Sequence, residues 1–249
     1  MASWFTTSAP AAGYEVSRHW FGHIGRFAGP SPVRLIPRLE PAQLAAALRE
    51  ASFLAGGPLS VWVDDRQRAA RLESGLIELG YLPQPATTHL ALVGEVRSEP
   101  GPAGLRIEAV SKGGLARWAN VKLKAFGDTE REPSRAELER EVALRSSEAE
   151  ATRWWIAHLG GEAVAVLAHY SGRDQLVFNL GTRVPFRRRH IARALLSFFA
   201  EEGRRHGCRS LMINAEEGGR PEALYRRLGF TDEIYWCRRY ERQLPPPEH

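Results

Sequence analysis

Asn179-Leu-Gly-Thr-Arg-Val-Pro-Phe-Arg-Arg-Arg-His-Ile-Ala-Arg-Ala-Leu-Leu196 decides how this chain is read. An apolar run from Gln175 to Val184 predicts a strand. A polar turn follows, carrying Arg187, Arg188 and Arg189. From Ile191 to His206 the apolar residues recur at helical spacing, and Gly207 closes the pattern. A strand that turns directly into a helix presents the helix's unpaired N–H groups and its positive dipole end. With three guanidinium groups at the same turn, the natural occupant is an anion such as a pyrophosphate.

Working outward, Ser210–Ala215 reads as a strand, Pro221–Leu228 as a helix stopped by Gly229, and Glu233–Tyr240 as a last strand. Upstream, Trp154–His158 and Ala163–His169 flank Gly160-Gly161, a hairpin signal. Ser134–Arg145 predicts a helix with Ser134 as N-cap and Glu137 as its capping-box partner. Gly114–Phe126 predicts another, with Leu115, Trp118 and Leu123 inward, and Leu105–Val110 a strand. The expected class is α/β (α+β), a mixed central sheet flanked by helices.

Two stretches together carry a resemblance. Arg187-Arg-Arg-His-Ile-Ala192 is similar to the acetyl-CoA loop of the GCN5-related N-acetyltransferases (GNAT), Arg/Gln-x-x-Gly-x-Gly/Ala between a strand and a helix. Ala223-Leu-Tyr-Arg-Arg-Leu-Gly-Phe230 resembles that family's Leu-Tyr-x-x-Leu-Gly-Phe helix end. The resemblance extends over residues 105–242 in element order. It implies a GNAT-like sheet, acetyl-CoA as co-substrate and no metal. It assigns the donor site to Leu180, Thr182, Val184, Arg187, Arg188, Arg189, His190, Ile191, Ala192 and Arg193, and the acid that protonates the leaving thiolate to Tyr225. One position departs: His190 stands where the family has Gly. The expectation is that the backbone there stays helical with the ring turned outward. The alternative is a donor other than ordinary acetyl-CoA, or weaker donor binding.

Amide formation needs a neutral amine, a donor for the developing oxyanion and a proton for the thiolate. Many relatives place a basic carboxylate on the strand before the loop, but residues 175–183 contain none. Glu216, Glu217, Asp128 and Glu130 are candidates elsewhere, and a water relay or an acceptor that arrives partly neutral serves equally.

The first half contains an echo. Leu59-Ser-Val-Trp-Val63 followed by Leu76-Ile-Glu-Leu-Gly-Tyr81 parallels Ser210–Ala215 followed by Tyr225-Arg-Arg-Leu-Gly-Phe230. Two readings stand: a partial, decayed GNAT-like half without a phosphate loop, or an ordinary strand-helix-strand unit. Pro41–Ala55 and Gln67–Leu79 predict its helices, and Thr87–Val93 a further strand. Gly94–Gly104, with Pro100-Gly101-Pro102, reads as a linker. The expected organisation is a degenerate half-domain at 1–97, a linker at 98–104 and a catalytic domain at 105–249.

Composition narrows the classes. At 249 residues, 43% hydrophobic and 25% charged, the chain can build a sizeable core. Its two cysteines, Cys208 and Cys237, form no thiolate metal pair and suit a reducing compartment. No run approaches the roughly 18 apolar residues of a membrane span, and the start shows no secretory pattern, so a cytoplasmic protein is expected. Net charge is +5, and only three of the 34 basic residues are lysine. The leading expectation is an acetyl-CoA-dependent N-acyltransferase acting on a primary amine of a small molecule. The alternatives are an aminoacyl-tRNA-dependent acyl transferase and a non-catalytic acyl-CoA-binding module.

Overall fold

A computed structural model describes residues 14–27, 33–95, 101–127, 129–146, 152–170 and 174–242. The chain divides into two compact units, one of residues 1–88 with 235–249 and one of residues 89–234. The expected linker at 98–104 falls within the second of these rather than between them. Residues 98–100 of it lie outside the described set.

The first unit holds strands β1 (Tyr14–His19), β2 (Gly22–Phe27), β3 (Val33–Pro37), β4 (Leu59–Val63) and β5 (Tyr81–Pro83), with helices α1 (Leu44–Ala55) and α2 (Arg66–Glu78). β1, β2 and β3 form an antiparallel meander, and β3 pairs with β4 in parallel across the α1 crossover. Leu35, Val61, Val63, Leu72 and Leu76 are fully buried between strands and helices. Gly22, at φ 136°, is obligatory: a Cβ there would lie 2.0 Å from the Ile36 carbonyl oxygen. The meander was not legible as strands. Its residues are Gly, His, Arg and Ser as often as apolar, so no period-2 signal survives.

The second unit is built from β6 (Thr87–Leu92), β7 (Arg106–Val110), α3 (Leu115–Phe126), α4 (Arg135–Ser146), β8 (Thr152–Leu159), β9 (Glu162–Tyr170), β10 (Asp174–Thr182), α5 (Ile191–Arg205), β11 (Ser210–Glu216) and α6 (Arg220–Arg227). The final strand, β12 (Phe230–Arg242), starts in this unit and ends in the first, where residues 238–241 pair antiparallel with β4. β7 through β10 are antiparallel neighbours, and β10 runs parallel to β11. Alternation along β9 creates two cores: Ala165 and Leu167 face α5, while Val166 and Ala168 face α3. Trp118 anchors α3 on the sheet, fully buried, its indole N–H donating to the Leu167 carbonyl at 3.4 Å. The predicted capping box of α4 is present, with Glu137 accepting from the Ser134 N–H at 2.8 Å.

Both units therefore contain a parallel strand pair with a helical crossover, β3-α1-β4 and β10-α5-β11, each followed by a second helix and a Gly turn.

Candidate active site

The site begins with a break in the sheet. β10 pairs with β11 only from Asp174↔Ser210 to Val177↔Ile213. Its register against β9 then slips between Val177 and Asn179, the mark of a β-bulge at Phe178. Beyond the bulge, Asn179–Thr182 pair with β9 alone. The two parallel strands part there, which leaves one backbone edge of β10 open to a ligand strand or chain.

At the end of β10 the chain makes a short 3-10 turn, Val184–Phe186, then the arginine run, then α5. Arg188 and His190 both take left-handed backbone, φ 62° in each. His190 is the N-cap of α5, at ψ 9°, so the expectation of a helical backbone there is corrected. The turn needs the conformation that a Gly supplies at no steric cost, and His adopts it at a cost of about 1–2 kcal/mol. A left-handed residue leading into right-handed helix turns successive N–H groups inward, a concavity suited to an anion. The first α5 hydrogen bond runs from the Ala194 N–H to the His190 carbonyl at 3.1 Å. The N–H groups before it are the helix's orphan donors.

A cleft of about 440 Å³ opens over this turn. Thr182, Arg187, Arg188, His190, Ile191, Ala192 and Arg193 all line it. Arg220, Leu224 and Arg227 of α6 complete it. These three recur at helical spacing, i, i+4 and i+7, so a helical wheel of 220–227 would have shown them on one face. Among the described residues no acidic side chain lines the cleft, and the Thr182 hydroxyl is buried without a hydrogen-bond partner. Leu180 shares the face of β10 that carries Thr182 but is not among the lining residues; it packs into the core beneath α5. Val184 and Arg189 are not among the lining residues, and Arg189 lies 5.4 Å over the Phe186 ring.

Several other arginines are taken up by ion pairs within the fold. Arg204 and Arg205 pair with Glu201 and Glu202 along α5. Arg226 pairs with Glu222, and Arg238 with Glu73.

Tyr225 is 6% exposed and belongs to the core cluster under α5 and α6 rather than to the cleft wall. Burial pushes its phenol well above the usual range, so it stays protonated. Among the candidate bases, Glu130 is taken up by Arg183, 2.8 Å away, whose hydrogen bond holds the carboxyl below the usual range. Glu216 and Glu217 are exposed at the end of β11, and Asp128 lies outside the described residues.

The first unit treats its own parallel pair differently. Arg38, just past β3, donates to Asp64, just past β4, at 2.8 Å, and Arg68 reaches the same carboxylate at 3.2 Å. An ion pair thus spans the strand ends that part in the second unit.

Comparison with known proteins agrees with this fold. Residues 150–232 match the family model of the acetyltransferase (GNAT) domain. The whole-chain architecture is similar to a GCN5-related N-acetyltransferase from Kribbella flavida, at 16% identity, covering 96% of this chain and 94% of that one, TM-score 0.63. It is similar to another from Sphaerobacter thermophilus at 20% identity, covering 94% and 76%, TM-score 0.61. A tandem GNAT protein from the clavulanic acid biosynthesis pathway aligns at 15% identity over 94% and 85%, TM-score 0.59. No curated protein matches the chain's sequence. Residues 150–232 thus carry the match to the GNAT acetyltransferase domain, and the chain shares the fold of solved GNAT proteins.

Among the described residues no helix is long and apolar enough to cross a membrane.

Proposed function

We propose that this protein is an acetyl-CoA-dependent N-acyltransferase whose acceptor is a primary amine of a small molecule, and that the donor binds in the second unit alone. The observation that carries the reading is the turn from β10 into α5. It joins two left-handed residues, open helix-start donors and a cleft lined by arginines. The residues present fit a CoA-type donor. Its phosphates suit the α5 start with Arg188, Arg193, Arg220 and Arg227, and its pantetheine amides suit the open edge of β10 at 179–182. When bound, the donor supplies a thioester carbonyl.

The chain's own part follows from where its groups sit. The open strand edge orients the acyl arm, and the N–H groups on it can donate to the carbonyl as charge develops. The acceptor nitrogen bonds to the acyl carbon, the C–S bond breaks, and the amine's extra proton leaves to solvent. The departing thiolate takes a proton that comes from solvent, and Tyr225, held neutral by burial in the core behind the cleft wall, is the protein group we assign to relay it. The Arg38–Asp64 pair supports assigning no donor to the first unit.

A thiol-release assay over a panel of primary amines tests the reading. Release that depends on both acetyl-CoA and an amine supports it. CoA binding without release favours the acyl-CoA-binding module, and nucleic acid that co-purifies and is required for transfer favours the tRNA-dependent reading.

A further inference from the structure

We infer that Arg187, the first residue of the phosphate-loop pattern, is a positioning residue rather than a phosphate ligand: it ties the donor turn to the end of α3. This rests on the reading of the cleft as the donor site.

The side chain turns back from the loop. Its Nε–H donates to the Thr182 carbonyl at 3.1 Å, and an Nη2–H donates to the Ala125 carbonyl at 3.0 Å. Ala125 lies in the last turn of α3, where carbonyls lack helical partners and the dipole end is negative. One guanidinium therefore caps a helix end and fixes the last carbonyl of β10, across 62 residues of sequence. A second contact binds the same two elements. A Cβ on Gly181 would lie 2.6 Å from the Phe126 ring and 3.1 Å from the Ala125 Cβ, so α3 rests directly on the β10 backbone. Arg183, one residue past the strand, bonds the segment after α3 through Glu130.

The consequence is geometric. The donor lies along β10, and its cleft occupies the side of α5 and α6. Gly181 turns to the opposite face, where α3 ends. Arg187 thus holds the donor turn and the α3 end behind β10 at one spacing, and that spacing sets where the open edge of β10 presents the donor's acyl carbon.

The test compares Arg187→Gln with Arg188→Gln in the full chain, titrating CoA over a range of salt concentrations. A lost phosphate contact weakens binding and flattens the salt dependence by about one unit of slope, which is the result expected for Arg188→Gln. For Arg187→Gln we expect CoA affinity about tenfold weaker with the wild-type slope. Amide exchange should accelerate at residues 122–126 and 180–183, and kcat should fall further than the donor's KM rises. Arg187→Lys keeps the charge but loses the fork and should not restore kcat. A slope as flat as that of Arg188→Gln, or unchanged exchange at the α3 end, overturns the inference. If wild-type protein binds no CoA, the donor-site reading fails, while the exchange data still decide whether Arg187 ties α3 to β10.

Discussion

Arg188 and His190 share a left-handed backbone, φ 62° in both, and stand on either side of Arg189 at the mouth of α5. The pair sets the curvature of the donor turn, and its second member occupies the motif's Gly position. Inside a helix, Ala is more stable than Gly by about 1 kcal/mol. At a left-handed N-cap the order reverses, because a Cβ costs about 1–2 kcal/mol there. Denaturant unfolding should rank His190→Gly above His190→Ala in stability, with CoA affinity of the Gly variant equal to or better than wild type. Ala above Gly would show that residue 190 is helical.

Tyr225→Phe keeps the ring in its pocket and removes the hydroxyl alone. Folding and CoA affinity should be nearly unchanged, and kcat should fall by at least about tenfold, the low side of general acid catalysis. Because burial raises the phenol, alkaline loss of activity should not begin at the ordinary tyrosine range. The sign for stability agrees: the buried neutral form contributes fully below the unfolded value and is lost as pH rises through the folded one. Steady-state kinetics against pH check both statements, and wild-type turnover in the Phe variant would make Tyr225 core alone.

The strand-turn-helix frame of the candidate site was legible in the sequence. Arg187–Ala192 and Leu224–Phe230 are local patterns whose spacing reports strand-turn-helix and helix-Gly geometry directly. What stayed hidden depends on long-range placement. The two carbonyls that claim Arg187 lie five and 62 residues away, and nothing local to the arginine run names Ala125. The left-handed state of His190 was masked because residue type argued for helix while the turn demanded otherwise. The bulge at Phe178 leaves no compositional trace, since bulges arise from register against a partner strand. In the first unit, β1 and β2 lack alternation, and their pairing is stabilised by Phe21 and Ile24 packing under α1 rather than by a surface pattern.

His169 gives the fold an acid limit. It is buried on β9 against Phe199, with Nδ1–H donating to the Tyr170 carbonyl at 3.2 Å. Burial lowers its ionisation from the ordinary 6.5 to about 4. A depressed histidine contributes stability above its unfolded value and loses it as pH falls through the folded one. The melting temperature should therefore drop between pH 6.5 and 4, and His169→Gln should flatten that part of the curve. His89, lowered to about 4 in the same way, would keep a residual slope in the variant.

Asp64 tests the assignment of the first unit. Its side chain is 6% exposed and takes Arg38 and Arg68 together. Asp64→Asn should cost about 2 kcal/mol in chemical denaturation, less than a fully buried pair because Arg38 is partly solvated. CoA affinity and stoichiometry should be unaffected. A second equivalent of CoA bound by the variant would mean that the ion pair masks a working site.

The central claim is that a CoA-type donor sits on the turn between β10 and α5 and nowhere else. Backbone amide NMR of the full chain, titrated with CoA, measures this directly. The account predicts saturable shifts of one equivalent centred on residues 179–193 and 214–224, with none centred on 33–68. An absence of shifts at saturating CoA, or shifts centred on the first unit, would contradict it.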